Sequence, residues 1–127
     1  MKLRYCITFF CLTLLMGSIL AGCKKSELPA KPTPSPFSAV VKGNAAIPAA
    51  GGVASILITA GADGWWIVVP DSGKDWCTIT KIYGSGDLEV PVTFKANSTG
   101  KERTVDVAVN PTFNLPPVHL VFTQAAN

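Results

Sequence analysis

The sequence predicts an all-β fold, a sandwich of two antiparallel sheets built from about seven short strands. Three observations predict it. From Phe37 onward apolar residues recur with period 2, and no stretch sustains a period of 3.6. Clusters of Gly, Asp, Asn, Ser and Pro separate these runs at the spacing of about 8–12 residues typical of a sandwich. Beyond residue 23 the only cysteine is Cys77, so apolar packing rather than an intrachain disulfide must hold the domain. An up-and-down barrel is the alternative arrangement of the same strands.

The expected strands, in order, are 37–42 with a continuation to 47, 53–60, 65–69, 76–81, 87–96, 101–109 and 118–125. Leu88, Val90, Val92 and Phe94 share one face, opposite Glu89, Thr93 and Lys95. Val105, Val107 and Val109 alternate with Thr104, Asp106 and Ala108, and Val118, Leu120 and Phe122 with His119, Val121 and Thr123. Pro91 lacks an N–H and calls for an edge position or a bulge. Turns are expected at 49–52, 61–64, 71–73, 84–86, 97–100 and at Asn110-Pro111.

Ahead of this domain, residues 1–22 have the layout of an export signal. Lys2 and Arg4 precede an apolar run from Ile7 to Met16, and small residues follow. The run is shorter than the roughly 20 apolar residues that a membrane span needs. Leu20-Ala21-Gly22-Cys23 resembles the lipobox of bacterial lipoproteins. That resemblance implies cleavage before Cys23, acylation of its thiol, and a lipid bilayer as the chain's first partner. It also places the protein in the bacterial cell envelope, at the outer membrane, on its periplasmic or its surface face. An ordinary secretory signal is the alternative. Residues 23–36 then form an anchored linker in which Pro29, Pro32, Pro34 and Pro36 favour extended polyproline II. At about 3.1 Å per residue, Lys24 to Pro36 reaches roughly 40 Å.

Charge excludes one class of partner. Without Lys2 and Arg4, nine basic groups face eight acidic ones, and from Phe37 onward six face seven. A nucleic-acid binder needs a clustered basic excess. Catalysis and metal binding also lack their residues: His119 is the only histidine, and neither a nucleophile–base pair nor a zinc ligand set is spaced around it. The sequence therefore predicts no enzyme, no metal and no cofactor. Cys77, beside Trp76, is expected as a small buried residue.

A further pattern runs through the domain. Gly51-Gly52 precedes an apolar strand, and Trp66-Ile67-Val68 and Trp76 follow. Gly84-Ser85-Gly86, then Val90 and Val92 leading to Asn97, Arg103, and a closing Phe122-Thr123-Gln124 complete it. This order resembles the BACON domain, the Bacteroidetes-associated carbohydrate-binding often N-terminal module, over about residues 45–126. The chain departs from the pattern at Gly61–Gly64, at the doubled Trp65, and in a longer, proline-rich loop from Asn110 to Pro117. The resemblance implies an immunoglobulin-like sandwich and a place among envelope systems that handle glycans or mucins.

Glycan binding needs exposed aromatic faces. Trp66 and Trp76 are expected in the core, which by the pleat sends Trp65 outward as the platform. A one-residue slip would exchange Trp65 and Trp66. Tyr83 and Phe113 fall in expected loops. If successive strands are antiparallel, the loops at 61–64, 82–86 and 110–117 emerge at one end, gathering Trp65, Tyr83 and Phe113 with Asp63, Asp87 and Asn114. The tether would arrive at that same end. Arg103 is expected to pair with an acid such as Glu102 or Asp106, Gln124 to satisfy buried backbone groups, and Asn97 to shape a turn. The expected function is non-catalytic binding of a glycan or glycoprotein. The alternative is a spacer or a module that docks another envelope protein.

Overall fold

The computed structural model describes residues 28–127, so the expected signal over 1–22 and the anchor Cys23 lie outside the described residues. Nine strands form: β1 (Ser38–Lys42), β2 (Ala46–Ile47), β3 (Gly52–Thr59), β4 (Gly64–Val68), β5 (Cys77–Thr78), β6 (Tyr83–Ser85), β7 (Leu88–Phe94), β8 (Arg103–Pro111) and β9 (Val118–Gln124). They make two sheets, β1-β3-β7-β5 and β2-β9-β8-β4-β6, so the fold is the sandwich and not the barrel. Alternation supplies the core. Ile56 and Ile58 of β3, Val90, Val92 and Phe94 of β7, Val105, Val107 and Val109 of β8, and Phe122 of β9 are all buried. Phe94 joins the layers, with its ring centroid 5.1 Å from that of Phe122 and 6.1 Å from that of Trp76.

Four expected segments differ for local reasons, and the turn expected at Asn110-Pro111 is one of them, since both residues continue β8 by pairing with β4. The first strand breaks at Gly43, whose φ of 89° suits glycine, and Asn44 accepts the Ala46 N–H at 2.9 Å. The chain thereby changes sheets, and β2 runs parallel to β9. The expected strand 76–81 contracts to two residues because the carbonyl of Gly73 accepts from both Trp76 and Cys77, at 3.1 and 2.8 Å. The expected turn at 84–86 is instead the short strand β6, paired with β4. Pro91 does occupy a half-edge: β5 pairs only with Thr93 and Phe94, leaving β7 without a second neighbour at Pro91.

The compact unit spans Thr33–Asn127, beginning four residues before the expected boundary at Phe37. The reason is a strap. The Ser35 N–H donates to the Asp63 carboxylate, while Pro34, Pro36 and Phe37 stand against Leu115–Val118. A side chain at Gly61 would strike the Ser35 hydroxyl. The end of the proline segment is therefore part of the domain.

Candidate functional site

The site is best built outward from β8. Val105, Val107 and Val109 face the core, and directly paired residues on neighbouring strands share a face. Ile67 pairs with Val109 and Trp65 with Pro111, so both point inward; Trp66 pairs with Asn110 and points out. The sequence expectation is thus reversed. Trp65 is 2% exposed and Trp66 is 45% exposed. The strand Trp65-Trp66-Ile67-Val68-Val69 is apolar at every position, so its own pattern could not set the direction. The neighbours set it: Trp65 lies opposite Gly84, where a Cβ would stand 2.6 Å from the indole ring, and its Nε1–H donates to the Gly86 carbonyl at 3.0 Å. Only glycine leaves room for that ring.

On the outer face, Trp66 is paired with Tyr83 on one side and Asn110 on the other. Tyr83 is 72% exposed, and β6 is the sheet's edge strand. Exposed Val68 continues the apolar strip along β4, and Val121 carries an exposed apolar side chain on β9. The charged groups of this face on β8 and β9, Asp106 and His119, meet each other at 3.1 Å. Beside Tyr83, the segment Thr80 to Tyr83 lines a recess of about 330 Å³. The arrangement is a shallow aromatic shelf at an open sheet edge, not a cleft. Among the described residues no cluster of three His, Cys, Asp or Glu could hold a metal ion.

The loops do converge as the strand parity predicts, but they brace one another. Gly86 donates to the Asp63 carbonyl at 2.9 Å and Thr112 to that of Gly64 at 3.0 Å. Asp63 accepts from Ser35, and Asp87 from the N–H groups of Ala60 and Gly61 at 2.8 and 3.0 Å. The two carboxylates expected as polar neighbours of a ligand are thus tied to backbone, and the strap arrives beside them. Phe113 is 46% exposed, with φ of 67°, and Asn114 follows at 55°. Phe113 lies in the loop beyond Thr112, off the strand row that carries Trp66 and Tyr83. Of the three aromatic candidates, only Tyr83 belongs to the shelf, with Trp66 taking the place expected for Trp65.

The opposite end is a polar knot. Gln124, fully buried, donates to the carbonyls of Pro48 and Lys95 at 3.1 and 2.8 Å and accepts from Arg103 Nε at 2.8 Å. Arg103 makes no ion pair with Glu102 or Asp106. Its guanidinium lies 4.3 Å from the Trp76 ring centroid and donates to Lys95 and Ala96 carbonyls. Asn97 is more than a turn residue, since its buried amide links Lys101 to Ala125 at 2.7 and 2.8 Å. These three residues close the sandwich and leave no buried side-chain donor or acceptor unpaired among the described residues. Cys77 is buried, and desolvation pushes its thiol up to about 11.

Against this geometry, a family model matches residues 59–111, the BACON family, described as "Putative binding domain, N-terminal". Over that stretch the chain is similar to the BACON domain. The matched stretch runs from the last residue of β3 to the last of β8 and includes Trp66, Tyr83 and Asn110. A solved structure, a Bacteroides ovatus GH5 xyloglucanase in complex with a XXXG heptasaccharide, resembles the chain at 29% identity with a TM-score of 0.58. The similarity covers 71% of this chain and 19% of that one, so this chain corresponds to about a fifth of the enzyme. No curated protein matches it.

Proposed function

We propose that this protein is a non-catalytic, lipid-anchored envelope protein whose BACON domain binds glycan on the outer face of β4 and β6. The observation that carries the reading is the pairing of Trp66 with Tyr83, two large aromatic side chains left exposed side by side on a sheet face. Rings placed so can take the apolar C–H face of a pyranose, and Asn110 stands on the far side of Trp66 to meet hydroxyls. The match of residues 59–111 to the BACON family and likeness to part of a xyloglucanase support the class of ligand. Covering about 100 Å² of ring surface contributes about 2.5 kcal/mol, much of it offset by the cost of association. Ring contact alone then holds a single sugar weakly, no tighter than about 10 mM, and a polymer offers many such sugars on one chain.

The test uses soluble residues 24–127, which contain the whole compact unit, run in gels holding a panel of polysaccharides. Retardation by at least one of them that disappears in Trp66→Ala and in Tyr83→Ala, with folding kept, is the expected result. Retardation unchanged in both variants overturns the reading. The strap favours a second reading, a spacer: with Ser35 held by Asp63, the last residues of the proline segment are fastened to the domain. In that case no glycan retards the chain, and a pull-down from envelope extract recovers a protein partner instead.

A further inference from the structure

One exposed cation stands beside Tyr83 at the edge of the aromatic shelf, and its sign bears on the ligand. Five of the seven acids from Phe37 onward have partners, and the other two, Asp75 and Glu102, do not line the recess beside Tyr83. Asp106 faces His119 on the same sheet, Glu89 pairs with Lys42 on the other sheet, and Asp63 and Asp87 hold backbone N–H groups. Lys74, near Val68, is paired with Asp71. Lys81 differs. It is exposed, lies two residues before Tyr83, lines the same recess of about 330 Å³, and forms no ion pair among the described residues.

We infer that the shelf takes an acidic glycan, with a sugar ring on Trp66 and Tyr83 and its carboxylate or sulfate at the Lys81 ammonium. The inference rests on the glycan reading above and adds the chemical class of the sugar. An ammonium is a compact point charge on a flexible stem, so it accepts either anion without the fixed geometry that arginine imposes. The folded part of the chain has a net charge of −1 from Phe37 onward, which gives an acidic polymer no long-range attraction. The preference is therefore local. An exposed pair of this kind is worth roughly a two- to fivefold change in affinity, and it fades as salt rises above about 0.1 M.

Matched polymers test it on residues 24–127: polygalacturonate against its methyl ester for the carboxylate, and dextran sulfate against dextran for the sulfate. The expected result is a two- to fivefold tighter binding of the charged member in at least one pair. Lys81→Gln removes that excess and leaves binding of the uncharged member as it was. Lys101→Gln, just before β8 and away from the shelf, does neither. Equal binding of charged and uncharged members, or an excess untouched by Lys81→Gln, overturns the inference while Trp66-dependent binding still upholds the shelf. An excess that survives Trp66→Ala overturns it too, since charge alone is then responsible. Failure of all four polymers to show Trp66-dependent binding overturns the inference, and the glycan reading falls with it only if the wider panel also fails to show such binding.

Discussion

Replacing Trp65 and Trp66 in turn with alanine separates packing from recognition, because these neighbours face opposite sides of one sheet. Trp65 is 2% exposed, fills the space under Gly84, and donates its indole N–H to Gly86. Truncating a buried ring of that size costs about 3–5 kcal/mol, out of the roughly 5–15 kcal/mol that holds a small domain together. At about 4 °C or more per kcal/mol for a domain of this size, Tm falls by at least about 12 °C. Trp66, 45% exposed with no hydrogen bond from its ring, leaves stability within about 1 kcal/mol when truncated. Thermal unfolding followed by circular dichroism gives the first number, and gel retardation gives the second effect. Trp66→Ala is expected to keep its Tm and lose retardation. A Trp66→Ala protein that melts as early as Trp65→Ala refutes the assigned register, as does a Trp65→Ala protein with an unchanged Tm. Trp65→Phe serves as the milder variant if the alanine does not fold.

Other consequences follow from the same geometry. At Gly73 a Cβ would stand 2.3 Å from Val105 Cγ2, so Gly73→Ala is expected to cost about 1–3 kcal/mol by overpacking, read as a lowered urea midpoint. Gln124→Ala removes the acceptor of Arg103 Nε and one of two donors on each of the Pro48 and Lys95 carbonyls, which keep Gly51 N–H and Arg103 Nη2. At about 1 kcal/mol for each of the three hydrogen bonds lost, it is expected to cost about 2 kcal/mol or more by the same assay. Cys77 is expected to resist a water-soluble disulfide reagent at pH 8 in the folded protein and to react at once in denaturant, as absorbance of the released thiolate reports. Its folded value of about 11 lies above the ordinary 9.0, so the thiol's contribution to stability is complete below pH 9 and is lost as pH rises toward 11.

The sandwich was legible because β7, β8 and β9 alternate, and alternation is what a half-buried strand requires. The places where the chain leaves that pattern were not legible. At Gly43 an Asx turn moves the chain between sheets, and only the pairing with β9 shows it. At Gly73 two amides converge on one carbonyl and shorten the expected strand. Two expected site residues fall outside the shelf: Phe113 because it lies in the loop beyond Thr112, and Trp65 because β4 is apolar on both faces, so its inward side is decided by its partners. A signal was present. Val105, Val107 and Val109 fix the inner face of β8, and pairing Ile67 with Val109 would have placed Trp66 outside. The loop parity was sound, yet it could not show that Asp63 and Asp87 are spent on backbone N–H groups or that Ser35 fills the same end.

The most direct measurement uses the three indole N–H signals of a ¹⁵N-labelled domain during titration with the glycan that retards it best. Trp65 and Trp76 donate their indole N–H groups to the carbonyls of Gly86 and Ser72, both at 3.0 Å, inside the fold. Trp66 presents its ring to solvent. Recognition on the β4–β6 shelf moves the Trp66 signal and the backbone amides of Tyr83 and Asn110, and leaves the other two indoles in place. Saturable shifts centred on Phe113 and Asn114, with the Trp66 indole unmoved, would contradict the account.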